Sequence, residues 1–206
     1  MKITVLQIVT PAIKEYSELT IPIVSKYCIK HNYTHLVFNK DNDYLPHPSW
    51  AKIERLLNLN NRFDFVWILD ADCIINIDLP IEQVVTLDLD DEYDAYISKN
   101  GNNGGRLLNG GSMIFKNKSL DKLKKLYYQY LSSYSIEFLK QAFWEQNFIN
   151  DCYDNKTLNI DVLEMNVINS WWYKMNDDNF IHHYMVRTIN EKIDLITKYL
   201  KEKELN

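Results

Sequence analysis

Residues 64–77 read DFVWILDADCIINI, and this stretch decides the fold. Residues 63–69 (FDFVWIL) form a nearly continuous apolar run rich in β-branched and aromatic side chains. Such a run suits a central strand covered on both faces, as in parallel α/β sheets. The strand then delivers two carboxylates, Asp70 and Asp72, one residue apart at its carboxyl end. In open α/β sheets that end is where ligands bind. Two carboxylates so close repel each other unless a cation lies between them. Hard oxygen ligands with water completing the shell suit Mg²⁺ or Mn²⁺ bound to a diphosphate. A second Asp-x-Asp, Asp88-Leu89-Asp90, sits in the acidic stretch LDLDDEYD and reads as a solvated turn rather than a site.

Outward from this motif, strand and helix patterns alternate. Residues 3–9 read as a buried strand, 16–30 as a helix, 35–38 as a strand, and 50–59 as a helix with Trp50, Ile53, Leu56 and Leu57 apolar. Strands follow at 94–98 and 112–115. Next comes a helix capped by Ser119, with Leu123, Leu126, Tyr127, Tyr130 and Leu131 on one face. A helix over 136–150, strands at 160–164 and 180–186, and an amphipathic helix from 189 complete the chain. Without internal repeats, this order predicts one α/β domain over 1–206, its mixed central sheet mainly parallel and flanked by helices.

Composition narrows the function. The 206 residues carry a net charge of −5, which argues against a nucleic-acid partner, whose phosphates need neutralising. Cys28, Cys73 and Cys152 lie far apart with no CxxC spacing, so neither a disulfide framework nor a zinc knuckle is expected. No stretch approaches the ~20 apolar residues of a membrane span. Residues 1–10 are interrupted by Thr4, Gln7 and Thr10 and are followed by no small-residue cleavage site. The expected location is the cytoplasm.

All five glycines fall between Gly101 and Gly111, within KNGNNGGRLLNGGS. Gly110 and Gly111 lead into the strand SMIFK, where glycine lets a ligand approach the backbone. Two other metal-and-phosphate classes fit less well. A dehalogenase-like phosphatase carries its acidic pair on the first strand, and a sugar-nucleotide pyrophosphorylase has a glycine-rich loop after it, where this chain has TPAIKEY.

Seven phrases in order, Tyr27-Cys28, His31-Asn32-Tyr33, Trp50-Ala51-Lys52, Asp70-Ala71-Asp72, Asn109-Gly110-Gly111-Ser112, Glu145-Gln146 and His183-Tyr184, resemble glycosyltransferase family 34. These are retaining galactosyl-, mannosyl- and xylosyltransferases of the Rossmann-like GT-A fold. The resemblance implies that Asp70 contacts ribose or metal-bound water, that Asp72 ligates the metal, and that His183 is the third protein ligand. It assigns Lys52 to phosphate, Asn109 and Gly110 to the donor sugar, and Glu145 and Gln146 to that sugar's far face as catalytic residues. The family has a glycine three residues after its histidine and a lysine nearby that grips the diphosphate. Here Val186 takes the glycine's place and Arg187 is the nearest cation.

The expected activity is metal-dependent transfer of a hexose or pentose from a nucleoside diphosphate to an acceptor hydroxyl, on a glycan or other molecule, with retention. The favoured donor is a UDP-sugar, with a GDP-sugar as the alternative. A binding module without catalysis is the competing reading. Trp171, Trp172 and Tyr173 offer stacking surfaces for sugars or, equally, core packing. Along 189–204, Ile189, Ile193, Ile196 and Leu200 form a stripe that must pack on something. Docking on the chain's own sheet is expected first, a homodimer contact second and a membrane surface last, because acidic residues cancel the helix's lysines.

Overall fold

The computed structural model describes residues 1–40, 46–59, 62–100, 107–141, 143–170, 175–185 and 188–204. Trp171, Trp172, Tyr173, Val186, Arg187 and the glycines at 101, 104 and 105 lie outside the described residues. The chain runs β1 (Ile3–Val9), α1 (Lys14–Lys30), β2 (Thr34–Asn39), α2 (Ala51–Leu57), β3 (Phe65–Leu69), β4 (Cys73–Ile75), α3 (Ile81–Val84), β5 (Ala95–Lys99) and β6 (Leu108–Lys116). It continues through α4 (Leu120–Ser133), α5 (Ile136–Leu139), α6 (Trp144–Asp154), β7 (Ile160–Leu163), β8 (Ile181–His183) and α7 (Ile189–Glu204).

Six strands form one sheet in the order β2-β1-β3-β6-β5-β7, and β4 pairs with β8 in a separate ribbon. β1 is parallel to β2 and β3, and β5 to β7; β6 alone runs against its neighbours β3 and β5. The expected mainly parallel α/β sheet is therefore present. Alternation along β3 divides its side chains between two cores. Val66 and Ile68 join α2, α4 and α6 on one face, while Phe65, Trp67 and Leu69 join α1 and α3 on the other. All five are essentially inaccessible, and burying each contributes about 1.5–3 kcal/mol. The chain leaves α1 through Asn32, whose φ of 58° is left-handed. Asparagine is among the few residues other than glycine that tolerate this conformation.

Four sequence expectations need correction. Ser119 does not cap α4; a 3₁₀ turn leads straight into the helix, and the Ser119 hydroxyl instead donates to Asp94 Oδ1 at 2.7 Å. The helix expected over 136–150 is two helices, broken where Phe143 and Trp144 take φ of 73° and 29°. The Trp50 indole, bonded to the Leu139 carbonyl, ties down the end of the first piece. The strand expected over 180–186 is only three residues long, because Met185 N–H turns back onto the His183 carbonyl at 3.0 Å. Strand β4 is an extra element hidden inside the apolar run after Asp72.

Helix α7 packs against α1, with Ile196 fully buried beside Tyr16, Ile74 and Tyr184. Ile193, Leu195, Tyr199 and Leu200 flank it, whereas Ile189 is 41% exposed and lies off the stripe. No helix among the described residues is long and apolar enough to cross a membrane.

Candidate active site

The carboxyl end of β3 meets the first residues of β6. Asp70 N–H bonds the Gly111 carbonyl at 2.8 Å, which sets the Asp-x-Asp turn against this reversed strand. Behind the turn runs a half-buried polar relay. Ser25 bonds His35 Nδ1, His35 Nε2 bonds Gln7 Oε1, and Gln7 Nε2 donates to the Asp70 carbonyl at 3.3 Å. Burial lowers the His35 pKa, consistent with a neutral ring that accepts on one side and donates on the other. Gln7, at first sight an interruption of an apolar strand, is thus a fixture of the site.

Strand β6 begins at Leu108 rather than Ser112, so Asn109, Gly110 and Gly111 lie inside it. Asn109 Oδ1 accepts from Gly111 N–H at 2.7 Å, and Gln146 Oε1 accepts from Gly110 N–H at 3.0 Å. The two glycines serve different neighbours. A Cβ at Gly111 would lie 2.1 Å from His183 Cε1, so this glycine makes room for the histidine rather than for a ligand. At Gly110 a Cβ would meet Glu145 Oε1 at 3.3 Å.

His183 reaches the acidic pair through the ribbon, where it pairs with Cys73. Its Nε2 lies 3.2 Å from Asp72 Oδ1 and 4.0 Å from Asp70 Oδ2. Asn169 Oδ1 accepts from the other ring nitrogen at 2.8 Å, which orients the ring and turns Nε2 toward the aspartates. Cys73 also lies among the potential ligands. Burial, then Asp72 and Asp70, push its thiol pKa well up, and its Sγ faces the Gly111 carbonyl. A protonated soft sulfur adds little for a hard ion.

Two ammonium groups balance the carboxylates. Lys52 is buried and holds Asp70 Oδ1 at 2.8 Å, Glu145, and the Gly110 carbonyl at 3.2 Å. Burial opposes its charge, but Asp70 and Glu145 outweigh burial and raise its pKa. Lys192, from α7, pairs with Asp72 and lies over the Tyr16 ring at 4.7 Å. Burial raises the Asp72 pKa less than His183 and Lys192 lower it, so the carboxyl stays ionised. Glu145 goes the other way: burial raises its pKa, and Lys52 offsets only part of that. Glu145 is only 3% exposed, so its carboxyl belongs to the wall of the site and not to a solvated helix face.

These residues surround one cleft of about 440 Å³, lined by Lys52, Asp70, Asp72, Asn109, Gly110, Glu145, Gln146, His183 and Lys192. A second lobe of about 410 Å³ continues past Lys52, Asp70, Asp72 and Lys192 to Ile8, Thr10, Ile13 and Tyr16 at the end of β1. Two buried polar atoms at the cleft, Glu145 Oε2 and Gln146 Nε2, have no partner among the described residues. The structure therefore gathers every sequence-expected site residue except Arg187, which lies outside the described residues. Lys192 and Asn169 were missed. Nothing local marks Lys192 among the lysines of α7, and Asn169 lacks any motif.

The fold and this cleft place the chain among α/β proteins of GT-A architecture. No protein-family model matches the chain, and no curated protein matches its sequence. Solved structures do. A glycosyltransferase involved in glycosylation of the major capsid of PBCV-1 aligns with a TM-score of 0.73 at 16% identity, covering 96% of this chain and 100% of that one. The galactosyltransferase LgtC, in complex with donor and acceptor sugar analogs, gives 0.65 at 10% identity over 95% of both chains. Drosophila β-1,4-galactosyltransferase 7, in a mutant complex with manganese, UDP-Gal and xylobiose, gives 0.55 at 10% identity, covering 91% of this chain and 72% of that one. At these identities the likeness establishes the fold.

Proposed function

We propose that the protein is a metal-dependent glycosyltransferase that moves a hexose or pentose from a nucleoside diphosphate to an acceptor hydroxyl. The observation that carries this is the meeting of Asp70, Asp72 and His183 at the end of β3, beside buried Lys52, in a cleft of a GT-A fold. The donor set is two carboxylates and an imidazole, which suits Mn²⁺ or Mg²⁺. Separations of 3.2 and 4.0 Å between the ligand atoms are within the span of two bonds of about 2.1 Å to one ion. Such an ion, when bound, supplies positive charge where the departing diphosphate becomes negative.

The chain's own residues do the rest. Lys52, fixed by three acceptors, holds its charge at the cleft floor beside Asp70 and supports the phosphate end of the donor. Asn109 and Gly110, at the start of β6, face the donor sugar. The unpartnered Glu145 Oε2 meets a sugar hydroxyl or the developing oxocarbenium centre, and Gln146 Nε2 donates to a sugar hydroxyl. With retention, as the family 34 resemblance implies, the bond from the anomeric carbon to the phosphate oxygen breaks as the acceptor oxygen bonds the same face. The acceptor proton passes to the departing phosphate oxygen, so no protein base is required. A UDP-sugar is the favoured donor and a GDP-sugar the alternative. Residues 1–206 act as one domain with α7 docked, in the cytoplasm.

The test is nucleotide release from UDP- and GDP-sugars with Mn²⁺ or with EDTA, in wild type and Asp72→Ala. Mn²⁺-dependent release that the variant lacks supports the proposal. Tight nucleotide binding without turnover of any donor would make the chain a binding module instead.

A further inference from the structure

Lys52 and Lys192 flank the same pair of aspartates but are held differently. The Lys52 ammonium has three acceptors, Asp70, Glu145 and the Gly110 carbonyl, one for each N–H, and it is buried beneath the cleft. Among the described residues, the Lys192 ammonium has one acceptor, Asp72 Oδ2, and rests on the Tyr16 ring. It enters from α7 and lines both lobes of the cleft, so a rotation of its long stem carries it into either. With Asp72 Oδ1 facing His183, both oxygens of this carboxylate are already engaged. A divalent ion ligated by Asp72 would stand beside this ammonium and be repelled by it.

Charge points the same way. Asp70, Asp72 and Glu145 face Lys52 and Lys192, an excess of one formal negative charge. A divalent ion alone turns that into one positive charge, beside an ammonium held at Asp72. An ion that arrives with a sugar diphosphate carrying two negative charges restores the original balance.

We infer that Lys192 is the resident cation of Asp72 in the metal-free site and yields it to the divalent ion when a nucleoside diphosphate arrives to accept the ammonium. Metal and donor then bind as one unit, and Lys192 is the residue that couples them. This rests on the metal-dependent reading above and adds to it a direction: the lysine opposes the ion alone and favours the ion with its nucleotide. By linkage, the factor by which UDP tightens Mn²⁺ equals the factor by which Mn²⁺ tightens UDP.

Mn²⁺ affinity, read from the electron paramagnetic resonance signal of free Mn²⁺, tests it in wild type, Lys192→Gln and Lys192→Arg, each without nucleotide and with UDP or GDP. Circular dichroism confirms that the variants are folded. Wild type is expected to bind Mn²⁺ weakly alone and at least about tenfold more tightly with its nucleotide. Lys192→Gln is expected to bind Mn²⁺ alone about tenfold more tightly than wild type and to lose most of the nucleotide enhancement; Lys192→Arg keeps it. If Lys192→Gln binds Mn²⁺ alone no better than wild type, while UDP or GDP still tightens it, the inference is overturned and the metal reading stands. If no form binds Mn²⁺ with or without nucleotide, the metal reading itself falls and takes the inference with it.

Discussion

The two ends of β6 each bring a lysine to an acidic loop, and they finish the arrangement differently. At the far end Lys116 is wholly buried, bonded to the Asp91 carboxylate and its carbonyl, with the Tyr96 ring 5.8 Å from its nitrogen. Asp91 is completed by the Tyr96 hydroxyl and the Tyr93 N–H, which with Lys116 lower its pKa against the effect of burial. That network is closed. At the near end, Lys52 gathers Asp70 and Glu145, but Glu145 Oε2 and Gln146 Nε2 are left over and a cleft opens beside them. The fold invests the same residue types twice, once to tie a strand down and once to leave polar groups waiting. Unfinished polarity, not charge as such, marks the site.

The difference can be broken most sharply at the two Asp-x-Asp sequences. Asp72→Ala is expected to cut sugar-nucleotide turnover by more than about a hundredfold, since it removes a ligand where even an outer-shell change costs tenfold or more. Asp88→Ala or Asp90→Ala should leave turnover within about twofold, because Asp88 only closes a turn by accepting from Asp90 N–H. Next in size is Gly111→Ala. Its Cβ displaces His183, so Mn²⁺ affinity should fall about 10–100-fold by titration, and Gly110→Ala should cost less.

Glu145→Gln separates stability from function. A carboxyl whose folded pKa is raised contributes stability that is present at low pH and lost as pH rises through its folded value. The amide mimics the protonated form, so at pH 7 the melting temperature should hold or rise while turnover falls. Below about pH 4.5 the advantage should vanish. The smallest effect on activity is expected at the closed network. Lys116→Met should cost about 1–3 kcal/mol, or roughly 3–10 °C in Tm, and leave turnover per folded molecule unchanged. A loss of turnover there would erase the distinction between the two ends.

Much of this was legible in the sequence. The apolar runs announce β1 and β3, and the buried face of α4 follows from its helical periodicity. What escaped reading was long-range. Ile181–His183 carries no more strand signal than the residues after it, and only the pairing of Cys73 with His183 fixes where β8 stops. Lys192 sits among lysines that look alike until α7 is laid on α1, and the break at Phe143 follows from tertiary constraint at Leu139 rather than from any glycine or proline. Local patterns encode elements; which polar side chains meet across 100 residues is decided by topology.

The distances along the chain also set an order of assembly. Lys52 and Asp70 are 18 positions apart, whereas Asp72 and Lys192 are 120 apart. Closing the longer loop costs about 1.7 kcal/mol more in chain entropy. All six strands of the main sheet lie before residue 164, while the histidine and lysine that face Asp72 come after residue 180. During synthesis the sheet can thus form while Asp72 still lacks both companions. A chain released from the ribosome before β8 would be chemically unfinished, with Asp70 held by Lys52 but Asp72 facing it without a cation of its own.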